Sequence, residues 1–308
     1  VAKKTEKSNV VQFPKGKKKA AAAAGSSDDN LELAQQKVYE AWEVTGKKRI
    51  ALANQALKLH EDCADAYTLL ASEEPDEHKR IELYRKAVAA GERALGPDWE
   101  KEFAGVCWGV IETRPVMRAM ARLACSLQQE FEFEESLEWY RKLIRLNPDD
   151  NQGVRYLFAG CLYEADKGDE LEKLLDEYND DPSAALLYTK ALHVFRMRGD
   201  CEEAKKALMA AFDSNNYVPL FLSDVVEMPD EAPDSIGFGD ESEAVAYVVD
   251  NGHLWWSTAG ANPWMAETLA LKLNTVVDDP ELIQAAIESL KDETVHDCDD
   301  DEFDDNHK

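Results

Sequence analysis

Residues 117–150 read MRAMARLACSLQQEFEFEESLEWYRKLIRLNPDD, residues 151–184 read NQGVRYLFAGCLYEADKGDELEKLLDEYNDDPSA, and residues 185–218 read ALLYTKALHVFRMRGDCEEAKKALMAAFDSNNYV. Laid under one another at an offset of 34 residues, the three agree in kind. Their eighth positions are Ala124, Phe158 and Leu192; their eleventh are Leu127, Cys161 and Phe195; their twenty-fourth are Tyr140, Leu174 and Leu208. Pro148 and Pro182 stand near the end of the first two stretches, and Pro219 lies just past the third. Small or apolar residues recurring at this period describe a helix pair that cannot bury its apolar face alone and stacks on its neighbours. The expected product is an array of helix pairs with a concave surface. Such a surface usually binds a partner rather than performing chemistry.

Upstream of Met117 the helical spacing persists but the count changes. Leu31–Val44 carries Leu31, Ala34, Val38, Ala41 and Trp42 on one face and ends at Gly46, a good helix stop. Helices are expected over Lys48–His60, Ala64–Ser72 and Glu77–Leu95, with Ala53, Ala56, Tyr67, Tyr84 and Ala87 in repeat-like places. Residues 30–116 therefore read as degenerate units, and the apolar, glycine-containing stretch Trp99–Ile111 as the join to the regular units of 117–219. Downstream, Pro229, Pro233, Gly237 and Gly239 mark a loop over 220–239. Asp240 with Glu243 three residues later forms a capping box for the next helix. Asn262-Pro263 and Asp279-Pro280 each place a capping side chain before a proline and predict helices over Pro263–Leu273 and Pro280–Leu290. Residues 240–291 are expected to cap the open end of the array. No stretch reads as a strand.

The chain has 308 residues and a net charge of −27, from 62 carboxylates against 35 Lys plus Arg. That balance argues against direct nucleic-acid binding, which needs a basic face. It favours basic partners wherever the surface charge matters. The ends differ in sign. Residues 1–29 hold Lys3, Lys4, Lys7, Lys15 and Lys17–Lys19 and read as a disordered basic arm; residues 292–308, with Asp297, Asp299–Asp301, Glu302, Asp304 and Asp305, read as a disordered acidic tail. No apolar run approaches the roughly 18 residues of a membrane span, and the lysines near the N-terminus precede no apolar core, as a secretory signal would require. Six cysteines without a CxxC pair read as reduced thiols. A cytoplasmic location, no membrane and no cofactor are the corresponding expectations; oligomeric state is not legible.

Proline-closed units of this length are the signature of the tetratricopeptide repeat (TPR), so the fold class is all-α, a TPR-like helical-repeat solenoid with a helical C-terminal cap. A more specific resemblance rests on the segments Trp108–Pro115 (WGVIETRP), Leu146–Tyr156 (LNPDDNQGVRY) and Gly237–Ala244 (GFGDESEA). They resemble a bacterial group of TPR proteins that is similar to the suppressor-of-tumorigenicity-7 type. The resemblance covers roughly residues 100–260. It implies a fold and no reaction, and adds that the C-terminal extension belongs with the repeats.

In a TPR, positions 2, 5, 6, 9, 12 and 13 of the first helix point into the concave surface, by helical geometry and by resemblance to known TPR proteins. Among the residues so placed are Arg118 and Arg122 in the first unit, Gln152 and Arg155 in the second, and Lys190, His193 and Arg196 in the third. The full set contains no carboxylate, which in so acidic a chain singles it out. One reading is a groove for an acidic peptide or a free carboxylate, since arginine grips a carboxylate through two parallel hydrogen bonds. The other is that these side chains pair with Asp and Glu on neighbouring helices. The function expected is a protein-binding adaptor or scaffold whose partner is another protein, engaged through a peptide segment. The alternative is an acidic regulator that masks a basic, for example nucleic-acid-binding, protein. An enzyme is the weakest reading: there is no P-loop, GxGxxG, GxSxG or HExxH. The six histidines are scattered, and Asp224, Glu227, Asp230, Glu231 and Asp234 do not follow a calcium-loop pattern, so no catalytic residue and no metal site is expected.

Overall fold

A computed structural model describes residues 25–231, 233, 235–276, 281, 284, 285 and 288. Residues 1–24, the acidic tail 292–308 and most of the expected helix Pro280–Leu290 lie outside the described residues. The described chain is helical throughout, with no strand. Its helices are α1 (Gly25–Trp42), α2 (Gly46–Leu59), α3 (Ala64–Ser72), α4 (Glu77–Leu95), α5 (Trp99–Glu102), α6 (Arg114–Gln129), α7 (Phe133–Leu146), α8 (Val154–Glu164), α9 (Gly168–Glu177), α10 (Ala184–Arg198), α11 (Glu202–Ser214), α12 (Val218–Leu222), α13 (Glu241–Ser257) and α14 (Ala261–Val276). The protein is an all-α, TPR-like solenoid.

The pairs α1/α2, α3/α4, α6/α7, α8/α9 and α10/α11 are antiparallel neighbours, and each pair packs on the next. The apolar positions of α6 explain its place: Val116, Met117, Met120, Leu123, Ala124 and Leu127 recur at three- and four-residue spacing and are all fully buried. Helices approach closely where the contact residue is small. A Cβ added at Gly91 of α4 would lie 2.7 Å from Val116 Cβ of α6. Ser136 of α7, buried, donates to the carbonyl of Ala124 at 2.7 Å, and Tyr140 reaches Gln128 Oε1 at 3.1 Å. The outer side carries ion pairs between successive second helices, Arg85 to Glu135 and Arg141 to Glu170. Exposed pairs of this sort contribute only about 0–1 kcal/mol each.

Two apolar cores result. The smaller lies in the first units and is mostly alanine: Ala34, Val38, Ala41, Ala53, Ala56, Cys63, Ala66 and Leu69. The larger runs from Ala71 to Leu273. Between α4 and α6, Gly96 at φ 89° stops α4, and residues 97–113 form α5 and two single 3₁₀ turns. This segment is tied down by Gly105 N–H to the Leu146 carbonyl (3.2 Å) and by Arg114 Nε to the Trp108 carbonyl (3.0 Å).

Three local features depart from the sequence reading. The wholly buried helix α12 occupies Val218–Leu222, where a loop from residue 220 was expected, because its apolar run fills space beneath α13 and α14. The capping box at Asp240 is half formed. Asp240 Oδ1 accepts from Ser242 and Glu243 N–H at 2.9 and 3.2 Å, but the buried Glu243 carboxylate goes to Gly239 N–H (2.8 Å), Ala184 N–H (2.9 Å) and Asn215 Nδ2 (3.0 Å). Glu243 thus caps the N-terminus of α10 across the fold, supplying acceptors to donors that the helix leaves free. Helix α14 starts at Ala261, so Asn262 is inside the first turn; Gly260, at φ 74°, provides the entry and accepts from Trp264 N–H at 3.1 Å.

Candidate functional site

In stacked helix pairs the first helices of successive units line the inner face. Here these are α1, α3, α6, α8 and α10, and α1–α3, α3–α6 and α8–α10 touch directly. Helix α14 packs against α10, α11 and α12, at the end of the array. Helix α13 goes elsewhere: it lies against α8 and α10. Tyr163 Oη meets Thr258 Oγ1 at 2.7 Å, His253 Nε2 meets Glu164 Oε1 at 2.9 Å, and the Tyr188 ring sits 5.6 Å from Tyr247 and 6.3 Å from Trp255. A Cβ on Gly160 would lie 2.7 Å from Asn251 Oδ1, so the α8 backbone approaches α13 as closely as glycine permits. Part of the inner face in the second and third units is therefore filled by the chain itself.

This placement, together with one extra residue, decides what becomes of the basic residues read from the sequence. The second helices of the regular units begin at Phe133, Gly168 and Glu202, spacings of 35 and then 34, the added residue falling before α9. One residue turns a helical face by about 100°. Gln152 accordingly lies in the turn before α8, its Oε1 buried without a hydrogen-bond partner. Arg155 turns to the unit junction: Nε donates to Asp181 Oδ2 at 2.7 Å, Nη1 to Asp150 Oδ2 at 2.9 Å, and the guanidinium covers the Tyr156 and Tyr178 rings at 4.3 and 5.3 Å. Asp181 is partly buried, which opposes its ionisation, yet hydrogen bonds from Ser183 and Arg155 hold its carboxyl below the ordinary range.

In the third unit the stripe containing His193 and Arg196 points back at the second. His193 is 2% exposed, with neither ring nitrogen hydrogen-bonded and Nε2 3.5 Å from Glu172 Oε1. Burial pushes its pKa down, against the pull of Glu172. Arg196 stacks on Tyr163 at 3.8 Å and donates from Nη1 to the Tyr163 carbonyl at 3.0 Å. Lys190 is half-buried and forms no ion pair among the described residues. The pairing reading thus describes Arg155 and Arg118, and also Arg196, whose Nη2 lies 3.4 Å from Asp166 Oδ1.

Arg118 grips the buried Asp65 of α3 through Nε (3.0 Å) and Nη2, while Gln35 of α1 donates to the same carboxylate at 2.8 Å. This chain of contacts crosses three successive first helices. The outer edge of the guanidinium lies over Trp42, 5.3 Å from the ring centre, and Trp42 leans on Tyr39 at 5.2 Å. Both rings are exposed, 42% and 48%. One helical turn beyond Arg118, Arg122 is exposed and forms no hydrogen bond or ion pair among the described residues. Sequence reasoning missed Tyr39, Trp42 and Asp65. Trp42 was visible only as an apolar residue at a helix end, and nothing local announces that Asp65 meets Arg118, 53 residues away. Chemically this stretch offers two aromatic faces and an open guanidinium. Among the described residues no group of His, Cys, Asp and Glu could hold a metal, and no helix is long and apolar enough to cross a membrane.

No protein-family model matches the sequence. The chain is 28% identical over 263 residues to the suppressor of tumorigenicity 7 protein-like of Gallus gallus, covering 76% of this chain and 46% of that protein. It is 27% identical to the protein ST7 homolog of Caenorhabditis elegans, covering 72% and 48%. It spans less than half the length of these relatives. Over 106 residues it is 34% identical to the TPR repeat-containing protein YpiA of Bacillus subtilis (strain 168), 33% of this chain and 24% of that one. A solved TPR protein, YrrB, described as having an unusual peptide-binding site, superimposes with a TM-score of 0.44 at 17% identity, covering 61% of this chain and 85% of that chain. The chain is a TPR-like protein related in sequence to the suppressor-of-tumorigenicity-7 group.

Proposed function

We propose that the protein is a non-catalytic binding scaffold that engages another protein through a peptide segment laid along the inner face of α1, α3 and α6. One observation carries the reading: α13 takes up the inner face at α8 and α10, while Tyr39, Trp42 and Arg122 stay exposed on the neighbouring units. Exposed aromatics beside a cation are the composition of binding hot spots, where ring burial supplies affinity and arginine supplies direction. Arg118 is pre-oriented by Asp65 and holds Trp42 in place. Among the described residues Arg122 has no hydrogen-bond or ion-pair partner to give up, so a carboxylate can reach it without breaking such a contact. An acidic segment with an apolar residue is the ligand that fits.

The test uses the full chain and short fluorescein-labelled acidic peptides, read by fluorescence anisotropy. Arg122→Ala should weaken binding by about 1.5–3 kcal/mol, the range for hydrogen bonds to charged groups. Added salt should weaken it further, because screening acts on exposed charges. Equal affinity for acidic and for amide-substituted peptides, or binding indifferent to both Trp42→Ala and Arg122→Ala, would refute the reading.

A further inference from the structure

A second opening lies where the C-terminal turn of α13 meets the end of α8, α10 and the α6–α7 turn. It is a cleft of about 580 Å³ whose walls include Phe131, Tyr163, Glu164, Arg196, His253 and Leu254. We propose that this cleft binds a partner segment in which an aromatic side chain stands beside a carboxylate. The inference rests on the protein being a peptide-binding scaffold and places a second, separate contact on it.

Two independent observations converge on that ligand. The first is Phe131. It sits at φ 61°, in the left-handed region; the residue is 76% exposed, and its ring makes an edge contact to Phe133 at 5.9 Å. The turn itself is an ordinary helix ending, closed by Phe131 N–H to the Gln128 carbonyl and Glu132 N–H to the Leu127 carbonyl. The same ending in the next unit uses Asp166 at φ 55°. Glycine or asparagine holds such a turn with the least strain, and a bulky residue there is an outlier. An aromatic ring kept in a strained backbone and left in water at the mouth of a cleft is poorly explained by folding. It is explained by a ring on the ligand that covers it.

The second observation is the hydrogen-bond inventory of the cleft. Glu164 has both oxygens engaged, one by His253 at 2.9 Å and one by Gln128 Nε2 at 2.5 Å. Tyr163 Oη is engaged by Thr258. Arg196 Nη1 is engaged by the Tyr163 carbonyl; Nη2 is buried and has no hydrogen bond, and its ion-pair partner is Asp166 Oδ1 at 3.4 Å, on a side chain that is 89% exposed. The unmet hydrogen-bond donor beside the cleft is thus a buried guanidinium N–H, stacked on a tyrosine and fixed in direction, which a ligand carboxylate reaches by displacing the exposed Asp166. Its complement is an acceptor, and a carboxylate satisfies it best. The cleft selects the acid through Arg196 and the ring through Phe131.

The experiment compares four labelled peptides on the full chain by fluorescence anisotropy: an acidic peptide with one tryptophan, its Trp→Ala form, its amide form, and a lysine form. Phe131→Asn keeps a residue suited to the left-handed turn and removes the ring. It should weaken the acidic tryptophan peptide by roughly tenfold while the Tm stays level or rises. Arg196→Gln and Arg196→Lys should each weaken it by a similar factor, since neither keeps a planar cation that bonds the Tyr163 carbonyl with one nitrogen and offers another to the ligand. Affinity unchanged in Phe131→Asn, or a lysine peptide that binds as well as the acidic one, would overturn the proposal. Binding abolished by Trp42→Ala and Arg122→Ala but indifferent to Phe131→Asn and Arg196→Gln overturns the cleft and leaves the α1–α3–α6 face standing. Binding indifferent to all four variants overturns both.

Discussion

Arg155→Ala is the sharpest probe of how the regular units are joined. Arg155 bridges Asp150, in the turn before α8, to Asp181, in the turn before α10. Its side chain is 18% exposed, and those of its partners 2% and 10%. Removing it deletes two hydrogen bonds to the carboxylates, each about 1.5–3 kcal/mol, those to the Asp150 carbonyl (3.2 Å) and the Tyr156 hydroxyl (2.6 Å), and two ring contacts of about 0.5–1 kcal/mol. Leaving a buried carboxylate without its cation costs about 3–5 kcal/mol in full isolation. Neither carboxylate is isolated, however. Asp150 keeps the N–H groups of Val154 and of residue 155 at 2.8 and 2.9 Å, and Asp181 keeps Ser183 N–H at 2.9 Å and Tyr156 Oη at 3.2 Å. The expected net loss is about 2–4 kcal/mol. Urea denaturation followed by circular dichroism measures it, and amide hydrogen exchange locates it at α8 and α10. The loss should shrink on acidification: Asp181 titrates below the ordinary range in the folded state, so its contribution, complete above the unfolded carboxylate pKa, disappears as pH falls through the folded value. A change under about 0.5 kcal/mol, the scale of an ordinary surface substitution, would refute the clamp. So would lost peptide binding at unaltered stability.

Other perturbations separate the remaining contacts. His193 and His253 should respond to pH in opposite senses. Burial lowers the His193 pKa, so its contribution is present above about pH 6.5 and lost as pH falls; the hydrogen bond to Glu164 raises that of His253, so its contribution is present below about pH 6.5 and lost as pH rises. Comparing the stability–pH slopes of His193→Gln and His253→Gln checks both signs, and equal slopes would contradict the assignment. Gly91→Ala should destabilise by about 1–3 kcal/mol, because the added carbon meets Val116 Cβ at 2.7 Å and Cα at 3.2 Å, atoms that cannot step aside; an unaffected urea midpoint would show that α4 and α6 are less tightly apposed. Glu243→Gln should cost about 2–4 kcal/mol, since its amide keeps one acceptor oxygen but turns an NH2 toward either the Ala184 donor or those of Gly239 and Asn215, and the charge that strengthened all three bonds is lost, and hydrogen exchange should quicken at the start of α10.

The repeats were legible because the residues that declare them do so locally. Ala124, Leu192, Tyr140 and Leu208 are fully buried between helices adjacent in the chain, and that packing needs no distant partner. The first four helices were legible for the same reason, as Ala53, Ala56 and Tyr84 are buried within neighbouring pairs. The inner face was not. Its occupant, α13, is apolar around most of its circumference, with Ala244, Val245, Tyr247, Val248, Leu254 and Trp255 all buried, so its sequence does not say which neighbours it meets. The extra residue ahead of α9 is invisible to a matching rule that tolerates any apolar side chain, yet it turns Arg155 from the groove to the junction. Glu243 was legible as a cap, but the helix it serves starts 59 residues earlier.

The seating of α13 against α8 and α10 also has a bearing on biosynthesis. An array of helix pairs can fold as it emerges from the ribosome, each pair settling on the one before. The apolar surface around Gly160, Tyr163 and Tyr188 has to wait, because its cover is encoded after the last pair. Ser257 trails Arg198 by 59 residues, which at about 5–20 residues per second is on the order of 3–12 s of translation. Through that interval the nascent chain presents tyrosine-rich surface to water and to any ribosome-associated chaperone. A ribosome-stalled chain ending before residue 241 should therefore recruit such chaperones more strongly than one that has released α13.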